Sequence, residues 1–300
     1  MTTSHEAVDG SGPAWPDLAK LPERFRQLPR ALAERTRIAT LAGVPALIAH
    51  PDWKTPCPTM IWMHGRTVNK ELDPGRYLRW IRAGIAAVAL DLPGHGERLD
   101  PAFQDRRTTL AMLRQMSGEI DGVVDALAAP ELGGVFDFER LGIGGMSAGG
   151  MATLLRLCEP HDFAVAAVEG TTGWLTGLFF PEVAGHAGET PWGTTQDRAL
   201  VEQLDPMSRV DSMAAIPMLF LHTRMDKTVP FDRLVPFVDA LRASIERRGG
   251  AGSMIEMKTW EKTGAPEEHA GFGTFGNEAK NVQVEFLARV LRAVAPEAGF

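Results

Sequence analysis

Six strand-like runs punctuate the chain: Met60–Met63, Ile85–Leu90, Leu141–Met146, Phe163–Val168, Met218–His222 and Met254–Trp260. The first five are nearly continuous apolar segments, as in strands buried on both faces of a parallel sheet. Helical patterns separate them, over Arg76–Arg82, Arg106–Leu127 and Ala148–Cys158. Asp232–Arg247 places Leu234, Val235, Val238, Leu241 and Ile245 on one face at 3.6 spacing. Asn277–Val294 does the same with Val282, Phe286, Leu287, Val290 and Leu291. This alternation predicts a doubly wound α/β domain, a mostly parallel twisted sheet with helices on both faces. Ahead of it, Arg37–Leu41 and Val44–His50 meet at Ala42-Gly43 and predict an antiparallel hairpin.

Two segments depart from the rhythm. Residues 1–30 are polar and punctuated by prolines, and predict a loose arm with a short helix near Glu23–Gln27. The domain then occupies residues 31–300. Within it, an insertion over about 170–204 is rich in glycine and carries Trp174, Phe179, Phe180 and Trp192. Loops of that length are usually functional or disordered. The four aromatics predict a lid that lines or covers an apolar substrate pocket.

Composition narrows the function classes. Of 300 residues, 44% are hydrophobic and 23% charged, too apolar for a disordered chain. The net charge of −7 gives no overall attraction to nucleic acid or anionic lipid. Two cysteines, Cys57 and Cys158, exclude a disulfide framework and fit a reducing compartment. The first thirty residues hold no apolar signal segment. The longest uncharged apolar run, Ala83–Leu90, falls far short of the roughly 18 residues of a membrane span. A cytoplasmic protein is expected, with no membrane span and no nucleic-acid partner; a homo-oligomer stays open. No histidine pair or Cys/His cluster stands at metal-ligand spacing, so neither metal nor cofactor is expected.

The sharpest chemical signal is Gly145-Met146-Ser147-Ala148-Gly149, placed between a strand-like run and a helical one. That is the context of a G-x-S-x-G nucleophile elbow. Close crossing of strand and helix there asks for glycine two residues before and two after the serine. The Ala148 N–H would face an oxyanion. A rival reading takes Gly142-Ile143-Gly144-Gly145-Met146-Ser147 as a near match to the dinucleotide fingerprint, with Glu169 as its acid.

A serine needs a general base, and the base an orienting acid, in the order Ser, Asp or Glu, His for such a sheet. Of His161, His186, His222 and His269, the last lies in a loop between the final strand and final helix, where the base belongs. His222 ends a buried strand and reads as a core histidine. Asp226 follows the strand Met218–His222 and is the leading acid; Glu169 is the competitor.

At these residues the chain resembles the α/β-hydrolase superfamily, over roughly residues 35–296. His64-Gly65-Arg66 is similar to its H-G-x motif, and Asp91-Leu92-Pro93-Gly94-His95-Gly96-Glu97-Arg98 to its D-x-P-G-H-G loop. Val229-Pro230 after the acid, and Lys70-Glu71 after His64-Gly65, look like the dienelactone-hydrolase-like and prolyl-oligopeptidase-like branch of single-domain esterases. The resemblance implies a second oxyanion donor at the Arg66 N–H, with His64 and His95 as loop braces. The Arg66 side chain would either hold an acidic group of the substrate or point to solvent. The chain departs from the pattern in carrying Thr223 where glycine is usual. It also has Ser147 where dienelactone hydrolases use cysteine, and no length for a propeller domain. Together these readings predict a serine hydrolase cleaving a small-molecule carboxylic ester through Ser147, Asp226 and His269, or a peptidase, amidase or non-hydrolytic relative on the same scaffold.

Overall fold

The computed structural model describes residues 28–186 and 195–296. The Glu23–Gln27 segment and Trp192 therefore lie outside the described residues. A four-residue helix, α1 (Arg30–Ala33), leads into the hairpin β1 (Thr36–Leu41) and β2 (Val44–Ala49). The alternating part follows as β3 (Cys57–Met63), α2 (Pro74–Arg82), β4 (Ala86–Leu90), α3 (Thr109–Leu127), β5 (Phe136–Met146), α4 (Ala148–Arg156) and β6 (Val165–Glu169). The insertion contributes α5 (Leu175–Phe179) and α6 (Arg198–Leu204), and the chain ends with β7 (Met218–Thr223), α7 (Phe231–Arg247), β8 (Ile255–Trp260) and α8 (Gly276–Leu291).

One eight-stranded sheet runs β1-β2-β4-β3-β5-β6-β7-β8. β1 and β2 pair antiparallel, β2 meets β4 antiparallel, and every other neighbour is parallel. This is the mostly parallel sheet with an N-terminal antiparallel hairpin that the apolar runs predict. β5 starts five residues earlier than its apolar run, because the polar stretch Phe136–Arg140 extends it; only Phe136 there is paired to β3, and the register shifts between Cys57 and Thr59. α3 begins at Thr109 and not at Arg106, since Arg106–Thr108 form a single 3-10 turn whose first N–H groups are capped by Asp105.

Alternate side chains of the strands feed two cores. Ile61, Met63, Val88 and Ile143 face α3, α4 and α7. Met60, Trp62, Ala87 and Ala89 face α2 and α8, where Leu28 and Leu32 also pack. With both faces covered, the central strands have no exposed side, which explains their unbroken apolar sequences. The winding reverses at β3: the chain steps outward to β4 on one side, then crosses to β5 on the other. A crevice opens beyond the carboxyl ends of strands at such a switch point, and ligands bind there. His64 and Gly65 leave β3 at that point, and Ser147 leaves β5.

Candidate active site

Ser147 sits between β5 and α4 with φ +52° and ψ −117°, a conformation costly for a side chain larger than glycine's. Its neighbours make the turn feasible. A Cβ on Gly145 would lie 2.4 Å from the carbonyl carbon of Gly149, and one on Gly149 would lie 2.2 Å from the Met63 oxygen. Only glycine allows α4 to cross β3 and β5 so closely. The turn is then pinned: the Ser147 N–H donates to the Glu169 carbonyl at 2.8 Å, and the Thr171 hydroxyl donates to the Ser147 carbonyl at 2.9 Å.

The imidazole of His269 reaches the serine from the loop between β8 and α8. Its Nε2 lies 2.8 Å from Ser147 Oγ, and its Nδ1 lies 2.7 Å from Asp226 Oδ2. A carboxylate only accepts, so Nδ1 carries the proton and Nε2 is left to accept from the serine hydroxyl. Asp226 follows β7, and its other oxygen accepts from the Thr228 and Val229 N–H groups at 2.8 Å each. Those two donors fix the carboxylate and leave Oδ2 for the imidazole.

Behind Asp226 stands His222, fully buried at the end of β7. Its Nε2 donates to the Val229 carbonyl at 2.9 Å and lies 3.6 Å from Asp226 Oδ2. Burial holds this imidazole below its ordinary pKa, against the pull of Asp226; it is a core histidine, as its strand position suggests, bonded at Nε2 and without a hydrogen-bond partner at Nδ1 among the described residues. His161 and His186 lie away from the serine; His186 pairs instead with Asp232 at 2.9 Å.

Glu169, the competing acid, is committed elsewhere. Arg76 donates to both of its oxygens at 2.6 and 2.7 Å, and Gln283 donates at 3.0 Å. Arg76 also stacks over the Trp62 ring, 4.3 Å from its centroid, and pairs with Asp73. The dinucleotide reading fails on the glycines. Gly142 and Gly144 lie inside β5, where a Cβ on Gly144 would come 2.1 Å from the Ala167 oxygen, so they serve strand packing and not a phosphate loop.

Arg66 leaves β3 beside the serine; a Cβ on the preceding Gly65 would lie 3.5 Å from the Ser147 Cβ. Neither the Arg66 N–H nor the Ala148 N–H donates to another group among the described residues. The Arg66 side chain does not point to solvent. It donates to Thr109 Oγ1 at 3.0 Å and to the Phe103 and Gln104 carbonyls at 3.1 and 2.9 Å. His64 braces the same loop by donating from Nδ1 to the Gly65 carbonyl and accepting the Leu92 N–H at Nε2. Beneath it, the buried Lys70 ammonium joins Asp91 and Glu97 at 2.7 and 2.6 Å. Although burial works against it, the Lys70 ammonium and the Glu97 N–H hold Asp91 well below the usual carboxylate range.

A cavity of about 560 Å³ opens over Ser147 and His269. Its apolar walls are Val68, Leu72, Met146 and Phe272, and its polar walls include Asp73, Arg76 and Lys280. Of the insertion's aromatics, the described Trp174, Phe179 and Phe180 are not among its lining, contrary to the expectation drawn from their number. Phe179 is buried in the core, Trp174 packs onto Gly177, and Phe180 lies under the Arg198 guanidinium, 4.0 Å from its ring centroid. α5 and α6 add apolar cover to the face occupied by α3 and α4, and their aromatics serve that packing. The described lining comes from the H-G-x loop after β3, from the loop that carries His269, and from the starts of α2 and α8, which have no motif of their own. Among the described residues no group of three His, Cys, Asp or Glu side chains could hold a metal ion, and no helix is long and apolar enough to cross a membrane.

A doubly wound sheet with a serine at a strained strand–helix turn, an imidazole on its oxygen and a carboxylate behind the imidazole defines an α/β-hydrolase of the serine type. The chain belongs to the prolyl oligopeptidase family, which matches residues 78–293. It is 27% identical to Esterase YjfP of Escherichia coli over 213 residues, 67% of this chain and 82% of that protein. The fold is similar to that of TT1662 from Thermus thermophilus, with a TM-score of 0.65, 22% identity, and coverage of 86% of this chain and 98% of the other. It is similar also to the acylaminoacyl peptidase of Pyrococcus horikoshii, with a TM-score of 0.64 and 19% identity over 88% of this chain but only 42% of that longer one. The protein is a serine hydrolase acting on ester or related acyl bonds.

Proposed function

We propose that the protein is a carboxylic ester hydrolase working through an acyl-enzyme on Ser147. The observation that carries this reading is the continuous chain Ser147 Oγ, His269 Nε2, His269 Nδ1, Asp226 Oδ2, with links of 2.8 and 2.7 Å, at the floor of a partly apolar cavity. His269 takes the serine proton as Oγ attacks the carbonyl carbon. Asp226 holds the imidazole tautomer and stabilises the imidazolium. The free N–H groups of Ala148 and Arg66 receive the developing oxyanion. The leaving alcohol takes its proton from His269, and a water activated by the same imidazole frees the acid. The scheme requires no cofactor.

The E. coli relative of comparable length is named an esterase, and the chain spans less than half of the peptidase it resembles. Both favour a small ester over a peptide. Cys57 and Cys158 are free and buried, which suits a cytoplasmic setting.

The test is hydrolysis of p-nitrophenyl esters from acetyl to decanoyl by the wild type and Ser147→Ala side by side. A loss of more than about a thousandfold is expected in the variant. Equal activity in the two proteins would remove Ser147 from the chemistry.

A further inference from the structure

The cavity lining is cationic although the protein is acidic. Among the described lining residues are four cations (Arg66, Arg76, Arg106, Lys280) and two carboxylates (Asp73, Glu169), in a chain of net charge −7. The two carboxylates belong to one wall, where Arg76 holds both and Lys280 stands 3.4 Å from Asp73. Arg66 and Arg106 stand apart from those ion pairs.

Arg66 is the half-buried member of that pair. A guanidinium has five N–H donors. Three of them go to neutral oxygens: the Thr109 hydroxyl and the carbonyls of Phe103 and Gln104. Nε–H and one Nη1–H have no partner among the described residues. No carboxylate of the described residues stands within ion-pair distance of it. The one that acts on it from farther off, Asp105, is already bound by Arg107. Burial and the like charge of Arg106 both press against the charged form of Arg66. Its end also rests on Thr109, the first residue of α3, where the helix dipole is positive and a cation is disfavoured. A charge so placed, held by three hydrogen bonds and set one residue beyond Gly65, where a Cβ would meet Ser147, has no anionic partner among the described residues.

We propose that Arg66 is an anion-binding element of the catalytic cavity and that the substrate is an ester bearing a carboxylate on its acyl or alcohol portion. This rests on the esterase reading and specifies its substrate. The fixed guanidinium binds the carboxylate with little ordering cost and in a partly desolvated setting, where charged hydrogen bonds are strong. The bound anion neutralises the repulsion between Arg66, Arg106 and the end of α3.

The experiment compares charged and neutral ester pairs in the wild type, Arg66→Gln and Arg66→Lys. On the acyl side the pair is mono-p-nitrophenyl adipate and its methyl ester. On the alcohol side it is 3-acetoxybenzoate and its methyl ester. The ratio of kcat/KM within a pair is the readout, because Arg66 also supports the loop and its substitution is expected to lower both rates. The wild type should favour the charged member of one pair roughly tenfold or more, chiefly through KM, and less so at high salt. The ratio should fall to about one in Arg66→Gln and be partly kept in Arg66→Lys, which retains charge without the fork. A wild-type ratio near one in both pairs, or an unchanged ratio in Arg66→Gln, would overturn the proposal while leaving the esterase standing. Calorimetric titration of Ser147→Ala with monomethyl adipate and dimethyl adipate reads the same subsite without turnover. Tighter binding of the charged ester supports it, and equal binding overturns it. Failure of the folded wild type to hydrolyse any of the four esters would count against the esterase reading itself.

Discussion

The Lys227 N–H donates to the Glu267 carbonyl at 3.0 Å, tying the loop that carries Asp226 to the loop that carries His269. The two loops follow neighbouring strands, β7 and β8, and this backbone bond sets their separation one residue from the carboxylate and two from the imidazole. The histidine side of the link is strained: Glu267 and Glu268 both have positive φ, +53° and +52°. The Glu268 carboxylate holds that turn by accepting from the Thr263 N–H and hydroxyl and from the Gly264 N–H, at 2.6, 2.8 and 2.9 Å.

Glu268 is therefore expected to position His269 without touching substrate. Glu268→Ala should lower kcat for p-nitrophenyl acetate roughly tenfold with little change in KM, since the imidazole loses its alignment while the cavity stays intact. The Thr263 N–H holds the Glu268 carboxyl below its ordinary value, so the bonds persist at neutral pH and are lost as pH falls into the carboxylate range. The acid limb of the pH–rate profile should accordingly be displaced in Glu268→Gln. An unaltered kcat and profile in both variants would show that the turn holds itself.

Ser147 stores strain that its chemistry requires. In Ser147→Ala the Cβ remains at φ +52°; in Ser147→Gly it is gone. The glycine variant should be the more stable of the two by about 1–3 kcal/mol, the usual range for such backbone strain. That corresponds to roughly 2–4 °C in Tm per kcal/mol for chains of this order of size. Both should be equally inactive. Calorimetry showing the glycine variant less stable than the alanine one would mean that the elbow is relaxed.

Asp226 and Glu169 end neighbouring segments of the sheet, and sequence position alone leaves both eligible to orient the histidine. The structure separates them by partners. Asp226→Asn should lower kcat by about 10⁴-fold by favouring the wrong tautomer. Glu169→Gln should keep activity within roughly tenfold, since no bond links it to His269. Arg76→Leu leaves Glu169 buried and unpaired, and should cost about 3–5 kcal/mol of stability. A kcat loss in Glu169→Gln rivalling that in Asp226→Asn would reassign the acid.

What the sequence made legible follows from where its constraints are local. Gly145 and Gly149 are demanded by backbone crossings of 2.4 and 2.2 Å, so the elbow is written in one pentapeptide. Strands buried on both faces leave unbroken apolar runs. The polar start of β5 has no such run, and its pairing depends on where the start of β3 happens to lie. Part of the cavity wall was hidden for the same reason. Arg76 and Lys280 meet at Asp73 only because α2 and α8 converge, and no short-range pattern encodes that convergence, whereas Arg66 was legible from its place after His64-Gly65. The insertion misled because aromatics that fill a core and aromatics that line a pocket have the same composition.

Four histidines, His50, His95, His161 and His222, are held below their ordinary pKa, in each case chiefly by burial. His50 and His222 are both fully enclosed, and the His222 Nδ1 has no hydrogen-bond partner among the described residues. The native state therefore keeps these rings neutral at a pH where the unfolded chain, with imidazoles near pKa 6.5, begins to bind protons. Below that value the unfolded state binds more protons than the native one, and stability falls as pH falls. Lys70, whose pKa is raised, is fully protonated throughout this window and adds no slope there. The predicted outcome is a Tm that is flat from pH 8 to 7 and declines progressively from pH 6.5 to 5, before most carboxylates titrate. His222→Gln should reduce the steepness of that decline while lowering Tm at pH 8, because it replaces an enclosed ring that donates to the Val229 carbonyl. Thermal denaturation followed by circular dichroism across this pH range is the check. A Tm that holds level down to pH 5 would show that these imidazoles protonate without opening the core.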